Sequence, residues 1–76
     1  MEALLEQLGR GLVAHPEEFK VEKKTDGDID QYLLNVHPDD FGQVIGRQGR
    51  TARALRAVVK AAAARSGRRA SVEILE

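Results

Sequence analysis

The first part of the chain carries an apolar stripe at helical spacing. Within residues 3–14 (ALLEQLGRGLVA), leucine or valine recurs every three or four positions, a period typical of an amphipathic helix. We therefore predict a helix over residues 3–14, ended by the His15–Pro16 step because proline disfavours helical geometry in the residue before it. Gly9 and Gly11 weaken the helix by roughly 1 kcal/mol each relative to alanine, and their small size suits the close approach of another backbone or a partner. The stripe consists of Leu4, Leu5, Leu8, Leu12 and Val13.

The pattern then changes from helical spacing to alternation. Residues 19–22 (FKVE) alternate apolar and polar side chains, and residues 29–36 (IDQYLLNV) do so again, which predicts two half-buried strands. Residues 25–28 (TDGD) between them contain Asp-Gly, a strong signal for a hairpin turn. The core face of the second strand consists of Tyr32, Leu34 and Val36.

Two more helices and a last strand are predicted in the second half. Residues 37–40 (HPDD) end the second strand and start a short helix that runs to about Ile45, because proline and acidic residues suit the first helical turn. After a break at two glycines, residues 50–65 form a longer, alanine-rich helix that ends at Ser66–Gly67, as helices commonly do at glycine. Residues 70–75 form the last strand. The core positions of these two elements are Ala52, Leu55, Val59 and Ala62 on the helix, and Val72 and Ile74 on the strand.

The predicted order is helix, strand, strand, helix, helix, strand. The hairpin makes the first two strands antiparallel, and the two-helix crossover favours a parallel, right-handed connection between the second and third. The fold class is therefore α+β, with a three-stranded mixed sheet packed on helices. We expect one domain over residues 1–76, which is the size of a single small core.

The composition indicates a soluble globular protein. Apolar residues make up 42% of the chain and charged residues 32%, unlike a disordered segment. The absence of cysteine excludes disulfides and thiolate metal sites, and no apolar run approaches the roughly 18 residues that span a bilayer. No signal peptide follows Met1, so a cytoplasmic protein is expected.

The charges are balanced in number but not in position. The net charge is zero, yet residues 1–40 hold ten acidic and four basic residues, whereas residues 41–72 hold eight basic and no acidic ones. Such asymmetry creates a positive surface that attracts anionic ligands, although the same charges would also serve simply to solvate a helix. The eight are Arg47, Arg50, Arg53, Arg56, Lys60, Arg65, Arg68 and Arg69.

The glycines between the two helices form a candidate clamp for a phosphate backbone. Gly46 and Gly49 permit a tight turn and leave no Cβ in the way of an approaching backbone. The next helix starts near Arg50, so its unpaired N–H groups lie at the turn. Arg47, Arg50 and Arg53 add charge that pairs with phosphate oxygens. Taken alone, a Gly-x-x-Gly turn is also typical of a simple connector between helices.

These residues carry a family resemblance. The segment VIGRQGRTARAL resembles the Val-Ile-Gly-x-x-Gly signature of K-homology (KH) RNA-binding domains, and the element order resembles their type II arrangement. With HPEEF after the first helix, HPDDF before the signature and SVEILE at the end, the whole chain is similar to the KhpA family of small bacterial KH proteins.

The resemblance implies a function that composition does not reveal. It implies binding of single-stranded RNA, an RNA-chaperone role together with a second KH protein of the KhpB type, and a link to cell elongation and peptidoglycan homeostasis. It also implies self-association, as a homodimer. Both variable loop positions are polar and not acidic, as RNA binding requires. The implied RNA-binding residues are Ile45, Gly46, Arg47, Gln48, Gly49, Arg50 and Arg53.

The unstacked bases would then lie on aliphatic side chains. Val44 and Ile45 stand at the entrance of the expected groove, although Val44 fits an ordinary core position better, and residues 33–35 of the second strand are expected to supply an edge. Aromatic residues are scarce, so stacking on rings is not expected to dominate. The aromatic residues are Phe19, Tyr32 and Phe41.

Other functions are compatible with parts of the sequence. The leucine stripe of the first helix, or the alanine flank of the long one, would suit a protein-interaction module for which RNA is secondary, and single-stranded DNA remains an alternative ligand. An enzyme is not expected, because no nucleophile and base are arranged together. No cofactor is expected either. HPEEF and HPDDF each place a histidine beside two carboxylates, but adjacent residues rarely converge on one ion, so no metal is expected.

Overall fold

The computed structural model describes residues 1–75 and confirms the predicted order of elements. Two turns of 3-10 helix, Pro16–Glu18 and Arg47–Gly49, lie between the main elements. No helix within residues 1–75 is both long enough and apolar enough to cross a membrane. The main elements are α1 (Glu2–Leu12), β1 (Lys20–Asp26), β2 (Ile29–Asn35), α2 (Pro38–Ile45), α3 (Arg50–Arg65) and β3 (Arg69–Leu75).

The sheet is three-stranded and mixed, with β2 in the centre. β1 pairs antiparallel with β2 through the hairpin, with Val21 opposite Leu34. β3 pairs parallel with β2, with Ile74 opposite Leu34. The two-helix crossover therefore produces the parallel pairing that was predicted for it.

The core lies between one face of the sheet and the helices. Alternate residues of β2 and β3 point into it, because side chains alternate across a strand. Leu5, Val44 and Val59 supply one fully buried side chain from each helix. The buried apolar residues are Leu5, Phe19, Tyr32, Leu33, Leu34, Val36, Val44, Ala52, Leu55, Val59, Val72 and Ile74.

The first helix is shorter than predicted and only partly covered. It ends at Leu12, and Val13 is already extended, with φ −110° and ψ 153°. Leu4 and Leu8 remain 43% and 41% exposed, so only part of the predicted leucine stripe reaches the core. At Gly9, the ring of Phe19 fills the space that a Cβ would need, so the close approach predicted there is made by this chain's own phenylalanine.

A buried carboxylate joins the end of α1 to the start of α2. Asp40 is 4% exposed, and both of its oxygens accept backbone hydrogen bonds, from the N–H groups of Ala14 and His15, each at 3.0 Å. At the same end of α2, the imidazole Nδ1 of His37 accepts a hydrogen bond from the N–H of Asp39 at 3.0 Å and so caps the helix. The segment after α1 is therefore fixed against the first turn of α2.

Candidate nucleic-acid interface

The loop between α2 and α3 is built from left-handed backbone. Gly46 has φ 80° and ψ 169°, Gln48 has φ 56° and ψ 26°, and Gly49 has φ 74° and ψ 16°. Among residues 1–75, Gln48 alone of the non-glycine residues has a positive φ. Hydrogen bonds from Gly46 N–H to Gly42 O at 2.9 Å and from Gly49 N–H to Gly46 O at 3.1 Å hold the turn closed. The loop therefore has one defined shape, with Arg47 and Gln48 exposed on it.

The two glycines of the loop serve different purposes. A Cβ at Gly46 would lie 2.8 Å from the backbone nitrogen of Thr51, so this position needs glycine to pack against the start of α3. A Cβ at Gly49 would meet nothing within 4 Å. Gly49 therefore leaves open space beside the loop backbone, as a clamp for another backbone requires.

The start of α3 adds an anion-attracting surface directly beside the loop. No side chain caps its first turn, and the N–H groups and dipole at a helix start favour anions. Arg47, Arg50 and Arg53 are exposed, and none of them pairs with a carboxylate among residues 1–75. Their charges are therefore available to a ligand.

The basic surface is smaller than the sequence predicted. Arg68 is bound to Asp30 through an ion pair of 2.8 Å, and Arg69 lies 3.4 Å from Asp28. The prediction that all eight basic residues form one positive surface is therefore wrong for these two, because the hairpin supplies acids that are distant in sequence. The exposed residues that remain on α3 and its loop are Arg47, Arg50, Arg53, Arg56, Lys60 and Arg65.

The sheet edge beside the basic surface belongs to β3. Residues 33–35 belong to β2, which is hydrogen-bonded on both sides, so they offer no open strand edge, and the groove edge expected from them stays a prediction. Instead, Nε of Arg56 donates to the carbonyl of Val72 at 3.3 Å, which places this flank of α3 against β3. The sequence did not predict this contact, since no local pattern shows which backbone carbonyl the side chain of Arg56 will reach.

Two aliphatic side chains lie at the end of α2, directly before the loop. Val44 is fully buried, which confirms the core position preferred for it. Ile45 is half-buried and packs against the core at the end of α2, so part of its surface lies beside Gly46. Phe19 and Tyr32 are buried, and this agrees with the prediction that aromatic stacking does not dominate.

Comparison with known proteins decides the family. A family model described as "KhpA/KhpB, KH domain" matches residues 2–74, nearly the whole described chain. The chain belongs to the KhpA/KhpB KH-domain family. The resemblance seen in the loop and in the order of elements is thereby confirmed, and the α+β fold with its three-stranded mixed sheet is consistent with a type II KH domain.

Several KhpA relatives match over all or nearly all of their length. The chain is 47% identical over 76 residues to the RNA-binding protein KhpA of Halalkalibacterium halodurans, covering 100% of both proteins. It is 44% identical over 75 residues to that of Clostridium acetobutylicum, covering 99% of this chain and 100% of the relative. The KhpA of Bacillus subtilis is 40% identical over 77 residues, with 100% and 94% covered. No solved structure matches the chain significantly.

The structure also brings together two histidines that the sequence analysis treated separately. The rings of His15, from HPEEF, and His37, from HPDDF, stack with centroids 4.1 Å apart. Each histidine lies near an acid of its own motif, and Asp39 lies near the histidines of both motifs. The stacking of His15 on His37 joins the two motifs, and no local spacing rule predicts it.

Proposed function

We propose that this member of the KhpA/KhpB KH-domain family binds single-stranded RNA with the loop between α2 and α3. The binding residues are those predicted from the sequence: Ile45, Gly46, Arg47, Gln48, Gly49, Arg50 and Arg53. The curated relatives are named RNA-binding proteins, which supports the same ligand here. We propose binding and not catalysis, and a cytoplasmic site of action.

One observation carries the proposal. A left-handed turn with open space at Gly49 leads directly into an uncapped helix start, and the neighbouring arginines are unpaired among residues 1–75. The start of α3 offers the positive end of its dipole, and Arg47, Arg50 and Arg53 offer guanidinium groups, to the phosphates of about four nucleotides, the span that a Gly-x-x-Gly loop grips in this fold. Neither part recognises a base edge, so sequence selectivity is low.

The cellular role that follows from the resemblance is part of the proposal. Low selectivity and few phosphate contacts suit an RNA chaperone, which must bind and release many transcripts. A KhpB-type KH protein as partner, post-transcriptional control of cell elongation and a link to peptidoglycan homeostasis rest on the family resemblance.

A second candidate function is self-association, with RNA binding secondary to it. Leu4 and Leu8 on α1 and Val58 on α3 are 41% to 45% exposed, and a small domain can cover such apolar surface by dimerising. We expect a homodimer. Light scattering with and without RNA separates the two functions, because an interaction module assembles without nucleic acid.

A double charge reversal in the loop tests RNA binding. Arg47→Asp with Gln48→Asp places two negative charges against phosphate, and both side chains are exposed, so the fold is retained. Affinity for a short unpaired RNA is expected to fall by at least about tenfold, since each lost charge-assisted hydrogen bond is worth roughly 1.5–3 kcal/mol. Arg10→Asp with Gln7→Asp on α1 is the matched control.

Filter binding with RNA and DNA oligonucleotides of the same sequence measures the outcome. The control pair should retain the affinity of the parent protein. Unchanged RNA affinity in the loop variant removes the loop from the function, while equal affinity for both oligonucleotides favours a general single-strand binder.

A further inference from the structure

The two His-Pro-acid-acid motifs meet in space and form one cluster of donor atoms. His15 and His37 are 22 positions apart in the chain, yet their rings stack with planes 23° apart. The joint at Asp40 causes this, because its carboxylate accepts hydrogen bonds from the N–H groups of Ala14 and His15. The backbone that carries His15 is therefore held beside the first turn of α2, which carries His37.

A carboxylate completes the cluster. Oδ2 of Asp39 lies 3.8 Å from Nε2 of His15 and 3.7 Å from Nδ1 of His37. One donor atom from each of the three side chains lies within 4.8 Å of the other two. Two imidazole nitrogens and one carboxylate oxygen are the ligands that a zinc ion takes in many three-ligand sites.

We propose that His15, His37 and Asp39 form a binding site for zinc or a similar borderline divalent cation, with a fourth position open to water. Ligand atoms 2.0–2.1 Å from a tetrahedral ion lie roughly 3.3 Å apart. Nε2 of His15 and Oδ2 of Asp39 must therefore move about half an ångström closer together when the ion binds. All three side chains are at least 31% exposed, so rotation about their χ angles brings the remaining donors inward without moving the backbone. The site lies at the opposite end of α2 from the Gly-x-x-Gly loop, and the proposal does not rest on the proposed RNA binding.

The hydrogen bonds around the cluster determine which ring nitrogen of each histidine is free to bind a metal. Nδ1 of His37 accepts from Asp39 N–H at 3.0 Å, so in this arrangement its proton is on Nε2. Coordination by His37 therefore gives up this capping bond in either case, because the metal takes the lone pair of Nδ1 or the proton moves to Nδ1 and frees Nε2 for the metal. His15 is simpler, because its Nε2 faces Asp39 while its Nδ1 lies 3.8 Å from Oε1 of Glu17. Glu17 can then orient the ring, as carboxylates beside metal-bound histidines do.

Binding here fastens the segment after α1 to the start of α2. An ion that binds only the folded protein stabilises it by mass action, so the melting temperature rises with metal concentration. Magnesium prefers oxygen ligands and keeps its waters. A site with two nitrogen ligands therefore binds zinc in preference to magnesium. A cation that merely neutralised the charges of Asp39 and Glu17 would show no such preference.

Titration of the full chain with ZnCl₂ tests the proposal. Binding is monitored by the NMR shifts of the amide and imidazole groups and by the melting temperature. We expect shifts confined to the neighbourhood of His15 and His37, a melting temperature that rises with zinc, and no such response to MgCl₂. His15→Gln and Asp39→Asn should each weaken zinc binding at least about tenfold, because even the loss of a residue that only hydrogen-bonds to a metal ligand costs roughly 10–100-fold.

Two further variants make the result decisive. His37→Asn removes one ligand but keeps an N-cap residue, so a loss of zinc binding in it cannot come from loss of the cap. Glu18→Gln is the matched control, since this exposed carboxylate is outside the cluster and should leave zinc binding unchanged. Equal responses to zinc and magnesium, or unchanged zinc binding in the three ligand variants, overturn the proposal.

Discussion

The guanidinium group of Arg68 donates two hydrogen bonds to the carboxylate of Asp30, at 2.9 and 2.8 Å. A third bond, at 3.0 Å, goes from Arg68 to the carbonyl of Gly27 in the hairpin turn. The turn that follows α3 is thereby tied to the β1–β2 hairpin, 38 residues away in the chain. Arg68 is thus occupied in holding the fold together and is not offered to a nucleic acid.

This pair makes stability depend on pH in the acidic range. The hydrogen bond from Arg68 lowers the pKa of Asp30 from 3.8 to about 2. Since the folded-state pKa is the lower one, the pair's contribution is complete above about pH 4 and is lost as the pH falls through about 2. Urea unfolding of the parent protein between pH 6 and pH 2 should show this loss. Asp30→Asn should be less stable at pH 6 and lose less on acidification; parallel pH profiles would contradict the assignment.

The loop glycines should respond differently to substitution. Gly46→Ala forces a Cβ against the backbone of Thr51 at a φ and ψ that only glycine adopts readily, so we expect a loss on the order of 1–3 kcal/mol or more in the free energy of unfolding. Gly49→Ala meets no neighbour and should cost about 1 kcal/mol for its left-handed φ. Denaturant titrations of both variants give the comparison. A larger loss at Gly49 than at Gly46 would show that the loop packs differently.

RNA affinity should depend on salt in proportion to the number of phosphates that the interface neutralises. Three or four contacts predict a slope of log K against log salt of about −2 to −3 for a single strand. Arg53→Gln should make this slope shallower by roughly 0.7, the share of one phosphate. Arg65→Gln, on the same helix but about 18 Å further along it, should leave the slope unchanged. A slope near zero in the parent protein would remove the electrostatic part of the interface.

The buried carboxylate of Asp40, which joins the end of α1 to the start of α2, should contribute strongly to stability although little of it is exposed. Asp40→Ala leaves the N–H groups of Ala14 and His15 without their acceptors, and we expect a loss of about 1–3 kcal/mol. Asp39→Ala, one position earlier and exposed, serves as the control and should cost less than half as much. Thermal or urea unfolding measures both, and equal losses would argue against the joint.

The regular elements could be predicted because their signals are local. α3 was predicted over residues 50–65 and is found at Arg50–Arg65, since its apolar period, the glycine before it and the Ser66–Gly67 end all lie within the segment. The Gly-x-x-Gly loop was predicted for the same reason. The prediction for α1 ran two residues too far at its C-terminal end. The His15–Pro16 step sets only the last position that a helix can reach, and the helix ends before it, since Val13 is already extended.

The pairings across the chain could not be predicted from local patterns. Nothing in the sequence around Arg68 shows that Asp30 will be its partner, so its charge was assigned to the ligand surface. The stacking of His15 on His37 depends likewise on where α1 ends and on the acceptors of Asp40. Such contacts arise only when segments more than 20 residues apart in the chain are brought together.

The short helix α2 has the histidine pair at one end and the Gly-x-x-Gly loop at the other, separated by eight residues or about 12 Å. Because α2 is so short, a change in its tilt at one end would also move its other end. If occupancy of the histidine end changes the tilt of α2, it changes the affinity of the loop for RNA, and thermodynamic reciprocity then requires RNA to change the affinity at the histidine end by the same factor. The molecule's smallest α-helix is thus the place where two separate ligands would report on one another.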